Sequence, residues 1–278
     1  MRKLKPPKTK KRWVRTVGLV VPLVILILMC IAGLFARQLA PNDPVAVDLT
    51  HQLEQPSRMF PMGTDKLGRC IFSRCLYGIR SSVGFSVLIS TIGVALGILI
   101  GVISGYVGGV VDTVIMRIVD ALMSFPKLIL VLVLVGIIGG GTYQIILAML
   151  LVHWVWYARI TRSMTISLRE HNYVTAAKVS GTSPVQIIGK HILPNIFSQM
   201  LALYTMDVGA TIVSLSGFSY LGIGVTPPTP EWGVMINEGR EVIRQTMGPL
   251  LWPSLMVCVS ALCLNILGEN LRACVDEA

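Results

Sequence analysis

Apolar residues along this chain gather into long, nearly unbroken runs separated by polar segments. Their length follows a bilayer, not the period of a half-buried helix or strand. A hydrocarbon core about 30 Å thick asks for about 20 apolar residues per helix. Val17–Ala36, Val83–Ser104, Thr142–Ala158, Ile196–Leu215 and Pro249–Leu267 approach that length. Leu128–Ile138 is shorter and follows Asp120 and Lys127, so the pattern predicts a span that begins near Ala121. The expected fold is an all-α integral membrane protein with six transmembrane helices.

Charge orients these spans. Residues 159–195 carry Arg159, Arg162, Arg169, Lys178 and Lys190 against the single acid Glu170. Arg2, Lys3, Lys5, Lys8, Lys10, Lys11, Arg12 and Arg15 crowd the segment before the first apolar run. Basic loops stay on the cytoplasmic side, beside anionic lipid. Both segments are therefore expected in the cytoplasm, which requires an even number of spans between them. Four satisfy this and three do not, so Gly139-Gly140-Gly141 is read as a turn between helices. The expected organisation is a basic cytoplasmic tail (1–16), a first span (17–36), an external loop (37–82), a five-helix core (83–268) with its cytoplasmic loop 159–195, and a cytoplasmic C-terminus (269–278). The run 17–36 is too long for the apolar core of a typical signal peptide, and it is read as an uncleaved span.

Composition agrees. The chain has 278 residues, 53% of them hydrophobic and 14% charged, and its mean hydropathy is +0.71. Soluble domains carry about 25% charged residues. The net charge of +10 could suggest nucleic acid. Its concentration beside an apolar run points to membrane lipid instead, and no nucleic-acid partner is expected.

Gly93, Gly97, Gly101 and Gly105 fall at strict four-residue spacing in the second span. On a helix they form a flat stripe that admits another backbone closely in lipid. This is read as helix packing, with the partner left open between another span and a second subunit. Cys30, Cys258 and Cys263 lie in apolar segments as small buried or lipid-facing residues. Cys70 and Cys75 lie outside the apolar runs, and either a disulfide or metal clip, or two unpaired thiols, fits their spacing.

The basic loop is punctuated. Ser163–Ser180 can form a helix with Gly181 as its left-handed cap. Ser183 is a good N-cap and Pro184 a good first residue for a second helix, Val185–Ile192, which Pro194 would end. Ala176, Ala177 and Gly181 are small, so another protein can approach closely. An amphipathic pair lying on the membrane surface is the alternative.

At these residues a resemblance becomes specific. Tyr173-Val174-Thr175-Ala176-Ala177-Lys178-Val179-Ser180-Gly181, then Ile192-Leu193-Pro194-Asn195, resembles the coupling-loop motif of ABC importer permeases, Glu-Ala-Ala, three residues, Gly, and later Ile-x-Leu-Pro. Gly63-Thr64-Asp65-Lys66-Leu67-Gly68-Arg69, Ser124-Phe125-Pro126, Tyr220–Val225 and Pro227-Pro228-Thr229-Pro230-Glu231-Trp232-Gly233 resemble the same family's dipeptide, oligopeptide and nickel branch. The resemblance runs from residue 37 to 272. It implies the binding-protein-dependent, MetI-like permease fold and an importer of five parts. Those parts are an extracytoplasmic substrate-binding protein, two permease subunits, of which this chain is one, and two ATPase subunits that hold ATP and magnesium. It also implies that Thr175, Ala176, Ala177, Gly181, Ile192 and Pro194 belong to the ATPase-coupling site, with Thr175 standing where the family has Glu. Position 70 commonly holds Asp in relatives and is Cys70 here.

His153–Arg159, Ser163–Arg169 and Glu231–Asn237 look closer to nickel-transport permeases than to peptide permeases, and Leu215 replaces a Glu that peptide members often carry. Nickel, free or chelated, is the expected substrate, with peptides as the alternative. Asp207 lies near the middle of the fifth span, where an ionisable group faces a partner or a wet cavity. His153 lies toward the inner end of the fourth. Both are candidate pathway residues. Asp207 also reads as a hydrogen-bonded structural acid, and His153 as an interfacial anchor beside Trp154 and Trp156.

Enzyme chemistry finds no support. Before Gly189-Lys190 a P-loop would need Gly where Pro184 stands, and afterwards Ser or Thr where His191 stands. Gly217-Phe218-Ser219-Tyr220 lacks the second glycine of a nucleophile elbow, because Leu221 occupies it. No HExxH occurs, and the four histidines show no metal-site spacing. The chain is expected to hold no cofactor or metal and to depend on partners for ATP hydrolysis. A passive channel or scaffold is the rival class, which a socket for an ATPase argues against.

Overall fold

A computed structural model describes the backbone of residues 8–275 and the side chains of residues 17–274. The basic side chains from Arg2 to Arg15 lie outside the described residues. In chain order the helices of eight residues or more are α1 (Lys8–Leu34), α2 (Ile71–Val107), α3 (Gly109–Met123), α4 (Lys127–Ile138), α5 (Thr142–Arg169), α6 (Asn172–Val179), α7 (Pro184–Tyr220), α8 (Trp232–Arg240) and α9 (Gly248–Val275). Among the described residues α1, α2, α5, α7 and α9 are long and apolar enough to cross a membrane, and α3 with α4 makes a sixth crossing if the bent pair is one span.

Several limits differ from the sequence expectation. The third span is not a straight helix from Ala121, because α3 and α4 meet at 90°. The cause is local. Proline disfavours helical backbone at the residue before it, and Pro126 itself is extended at φ −56°, ψ 127°. The second helix starts at Ile71, well before its apolar run, and passes through a π turn at Ile79–Val83. A single helix over Ser163–Ser180 does not form. Instead α5 continues to Arg169, and a break at Glu170 and His171 precedes α6. Nor does Pro194 end a helix. Pro184–Ile187 continues through a π turn, Ile188–Ile192, into Leu193–Tyr220. The wide turn carries the chain past the residue that lacks an N–H, and Asn195 Nδ2 donates to the His191 carbonyl at 2.7 Å. Gly139 and Gly141, both at positive φ, separate α4 from α5 as a turn.

The chain divides into two compact units, Val87–Tyr204 and Met1–Ser86 with Thr205–Ala278. In the first, the glycine stripe of α2 lies against α5. A Cβ added at Gly97 would stand 2.9 Å from the Trp154 carbonyl oxygen, at Gly101 2.5 Å from that of Ala158, and at Gly105 2.8 Å from that of Arg162. The stripe's partner is thus another helix of the same chain. Asp112 of α3 pairs with the Arg162 guanidinium of α5 and accepts from Ser104 Oγ at 2.5 Å, which ties three helices together.

In the other unit, α1 packs along α9. Arg80 closes the end of α1, donating from Nε to the Gly33 carbonyl at 2.7 Å and from Nη2 to that of Leu34 at 2.6 Å. Cations at a helix C-terminus are favoured by its partial negative charge. Gly239 brings α8 against the Pro249–Leu250 backbone of α9.

Candidate functional site

The loop between α5 and α7 is a braced platform. The C-terminus of α6 closes as a Schellman turn, in which the Thr182 N–H donates to the Ala177 carbonyl at 3.0 Å and the Gly181 N–H to that of Lys178 at 3.0 Å. Gly181 takes φ +77°, a conformation costly for any side chain with a Cβ. Ser183 then caps α7, its Oγ accepting from the Gln186 N–H at 3.4 Å, with Pro184 in the first turn. Beneath, Val174, Ile187, Ile192 and Ile196 are fully buried in one cluster with Val102 and Tyr157.

This geometry divides the predicted coupling residues. Thr175, Ala176, Gly181 and Pro194 are exposed, Ala177 is half-buried on the cluster, and Ile192 is fully buried. Ile192 therefore supports the platform from underneath and offers no contact surface. Sequence reasoning missed two residues on top. Val179 is 85% exposed and Val185 79% exposed, one before and one after the Gly181 turn. For Val179 the signal was available, since an apolar residue three or four positions after Thr175 and Ala176 shares their helix face.

A second constellation joins segments far apart in sequence. The Asp65 carboxylate accepts from the Leu67 and Arg69 N–H groups at 2.9 and 3.0 Å and from Arg69 Nε at 2.7 Å. Arg69 and Arg74 both donate to Glu238 Oε2, at 2.7 and 3.0 Å. Asp65, Arg69 and Arg74 are buried. Such a network fixes geometry, because stranding one buried charge costs ~3–5 kcal/mol. Glu231, also fully buried, accepts from Ser82 Oγ at 3.0 Å, Ser216 Oγ at 3.2 Å and the Val234 N–H at 3.0 Å, while the Trp232 indole donates to the Cys75 carbonyl at 3.2 Å. The motifs around Asp65 and Glu231 thus pin the 37–70 and 221–247 segments onto α2. Cys70 and Cys75 are buried free thiols, the unpaired alternative of the sequence reading.

On the surface of the same region, Glu54 accepts from His51 Nδ1 at 2.6 Å and holds the imidazole pKa above its ordinary value. The Thr50 hydroxyl and N–H keep the Asp48 carboxyl below the usual range, and Lys66, 2.5 Å away, does so for Glu241.

His153 is buried, packs on Gly93 and stands 3.0 Å from Lys127 Nζ. It lies well inside α5, which runs on to Arg169, and its burial does not fit an interfacial anchor. Asp207 is half-buried on α7, its Oδ2 3.5 Å from Thr211 Oγ1. Among the described residues no three or more His, Cys, Asp or Glu gather to hold a metal ion.

A braced loop between two long spans is set on a helical core able to cross a membrane. Residues 97–277 match the family described as binding-protein-dependent transport system inner membrane component, and the chain belongs to that family. It is 39% identical over 254 residues to the nickel transport system permease protein NikC of Escherichia coli strain K12, covering 91% of this chain and 92% of that one. To the glutathione transport system permease protein GsiD of Shigella flexneri serotype 5b (strain 8401) it is 38% identical, covering 91% and 84%. Its fold resembles a chain of the inward-facing MetNI methionine ABC transporter, with TM-score 0.56 and 17% identity over 73% of this chain and 96% of that one. The chain is a multi-pass inner-membrane permease subunit of an ABC importer.

Proposed function

We propose that this chain forms half of the translocation pathway of an ATP-driven nickel importer and couples to its ATPases through α6 and the turn that follows. The observation that carries this reading is the patch of Thr175, Ala176, Val179 and Val185, exposed on a platform whose underside is fully buried. Exposed apolar residues set in a rigid, small-residue surface fit a groove on a partner protein. The basic character of residues 159–195 supports a cytoplasmic position, and both chain ends then lie in the cytoplasm. The pathway is completed by a second permease subunit, an extracytoplasmic binding protein delivers substrate, and ATP with magnesium is hydrolysed on the partner ATPases. Their closure pushes the loop and rocks the spans between inward- and outward-facing states. Asp207 and His153 are assigned to the pathway.

Co-expression with its neighbouring genes and purification of the assembly tests this reading. Two ATPases and a second permease are expected to come with the chain. Recovery without any ATPase would overturn the reading in favour of a passive channel or scaffold.

Nickel, free or chelated, rests on the likeness to NikC and on the segments around His153 and Glu231. The nearly equal identity to GsiD favours glutathione or peptides as the second reading. Uptake of radioactive nickel against labelled glutathione and dipeptide, in a strain lacking the chain, decides between them. Asp207→Asn is expected to lower uptake of whichever substrate the wild type carries, and unchanged uptake would remove Asp207 from the pathway.

A further inference from the structure

Tyr106 stands where three helices of the 87–204 unit meet. It is near the C-terminal end of α2, and its carbonyl accepts from Nη1 of Arg169, the last residue of α5, at 3.1 Å. Its ring faces Lys178 of α6, whose Nζ lies 5.5 Å from the ring centroid. Its side chain also packs on the buried cluster that includes Val102, Val174 and Ile187. One residue thus carries two cations by two different means. The carbonyl end of a helix bears partial negative charge and suits Arg169. The face of an aromatic ring is also negative and suits Lys178.

These contacts differ in what they resist. Below α6, Val174 and Ala177 pack on the apolar cluster. That close-packed contact transmits movement by shape, and the Tyr106 ring is part of it. The Lys178 ammonium over the ring adds a directional contact to the same residue. Beyond Tyr106, the glycine stripe seats the α2 backbone directly on that of α5, and Arg162 with Asp112 pins both to α3. A displacement that reaches Tyr106 therefore moves a rigid pair of helices.

We propose that Tyr106 is the residue that transmits movement of α6 into the α2–α5 pair, a positioning residue for transport and not part of the docking surface. The proposal rests on the reading of α6 as the ATPase-docking helix. Thr175, Ala176 and Val179 take the load on the exposed side, and Lys178 passes it to the ring.

The test uses the assembled importer in detergent, with hydrogen exchange measured by mass spectrometry before and after addition of ATP and orthovanadate. In the wild type, exchange is expected to change both in residues 172–192 and in residues 93–107. In Tyr106→Leu and Lys178→Met the ATPases remain bound, the response at 172–192 persists, and the response at 93–107 falls about two- to fivefold, the factor of one exposed cation–π contact. Tyr106→Phe keeps the ring and is expected to respond as the wild type does. Lys178 is exposed, so its variant carries the test if Tyr106→Leu fails to assemble. A full wild-type response at 93–107 in Lys178→Met or Tyr106→Leu, with ATPases bound, overturns the transmission role alone. A wild-type chain that binds no ATPase overturns the docking reading and this one with it.

Discussion

A carboxylate without exposed surface persists only where donors surround it, and Glu231 has two hydroxyls and one backbone N–H. Glu231→Ala strands Ser82, Ser216 and the first turn of α8 together. The expected cost is ~3 kcal/mol or more, because charged hydrogen bonds contribute about 1.5–3 kcal/mol and the stranded donors add their own penalty. Thermal unfolding in detergent checks it, with a large fall in midpoint as the expected result. Gly97 makes the complementary case, where the essential feature is the absence of atoms. Gly97→Val drives a branched side chain into the α5 backbone and is expected to cost ~1–3 kcal/mol, as overpacking does. Gly84→Ala, also in α2, meets nothing within 4 Å and is expected to be neutral or slightly stabilising by the same measurement. The difference between them lies in the partner helix, so it was not legible in the spacing. The stripe announced a close approach, and only the fold could say that α5 makes it.

At the scale of elements, punctuation decides where helices turn. Gly181 and Ser183 were legible as caps because each role demands a particular chemistry, a left-handed backbone at one and a short side-chain acceptor at the other. Gly181→Ala is expected to cost ~1 kcal/mol through its positive φ, and to raise hydrogen exchange at residues 176–182 several-fold without reaching α5. The proline rules were less reliable. Pro126 broke its helix, whereas Pro194 did not, since the π turn before it had already altered the hydrogen-bond register. A π turn leaves no compositional mark, which explains why both of them went unseen. The 48–67 segment has a pH dependence of its own. Glu54 raises the His51 pKa, so protonated His51 stabilises the folded segment. That stabilisation is complete below the unfolded value of about 6.5 and is lost as pH rises through the folded value. Limited proteolysis of this segment is expected to quicken over that window, and His51→Gln to remove the dependence.

For the whole molecule, apolar run length made the helical membrane fold legible, because bilayer thickness sets the length of each run. The pairing of Asp65, Arg69 and Arg74 with Glu238 was not legible, since nothing local links residues so distant along the chain. Docking to ATPases is a question at this largest scale, and there the chemistry of one patch makes a distinctive prediction. Thr175 stands where the family pattern has Glu, so this chain offers no charge at that position. Its exposed neighbours Val179 and Val185 are apolar. Ionic contacts between exposed groups fade as salt shortens the Debye length to about 3 Å at 1 M, whereas apolar burial does not weaken in this way. On the proposed docking, the assembled importer is expected to keep its ATPases through a wash at about 1 M salt. Val179→Asp, a change on the exposed side of α6 that leaves the buried cluster intact, is expected to lose them at low and high salt alike, because it sets an unpaired charge in an apolar contact. Thr175→Glu adds a charge at the family's position, and any gain in ATPase retention it brings is expected at low salt and to vanish in the wash. Quantifying ATPase bands in the eluted complexes reads all three. Wild-type release in high salt would mean that charge, and not the valine pair, holds the partner.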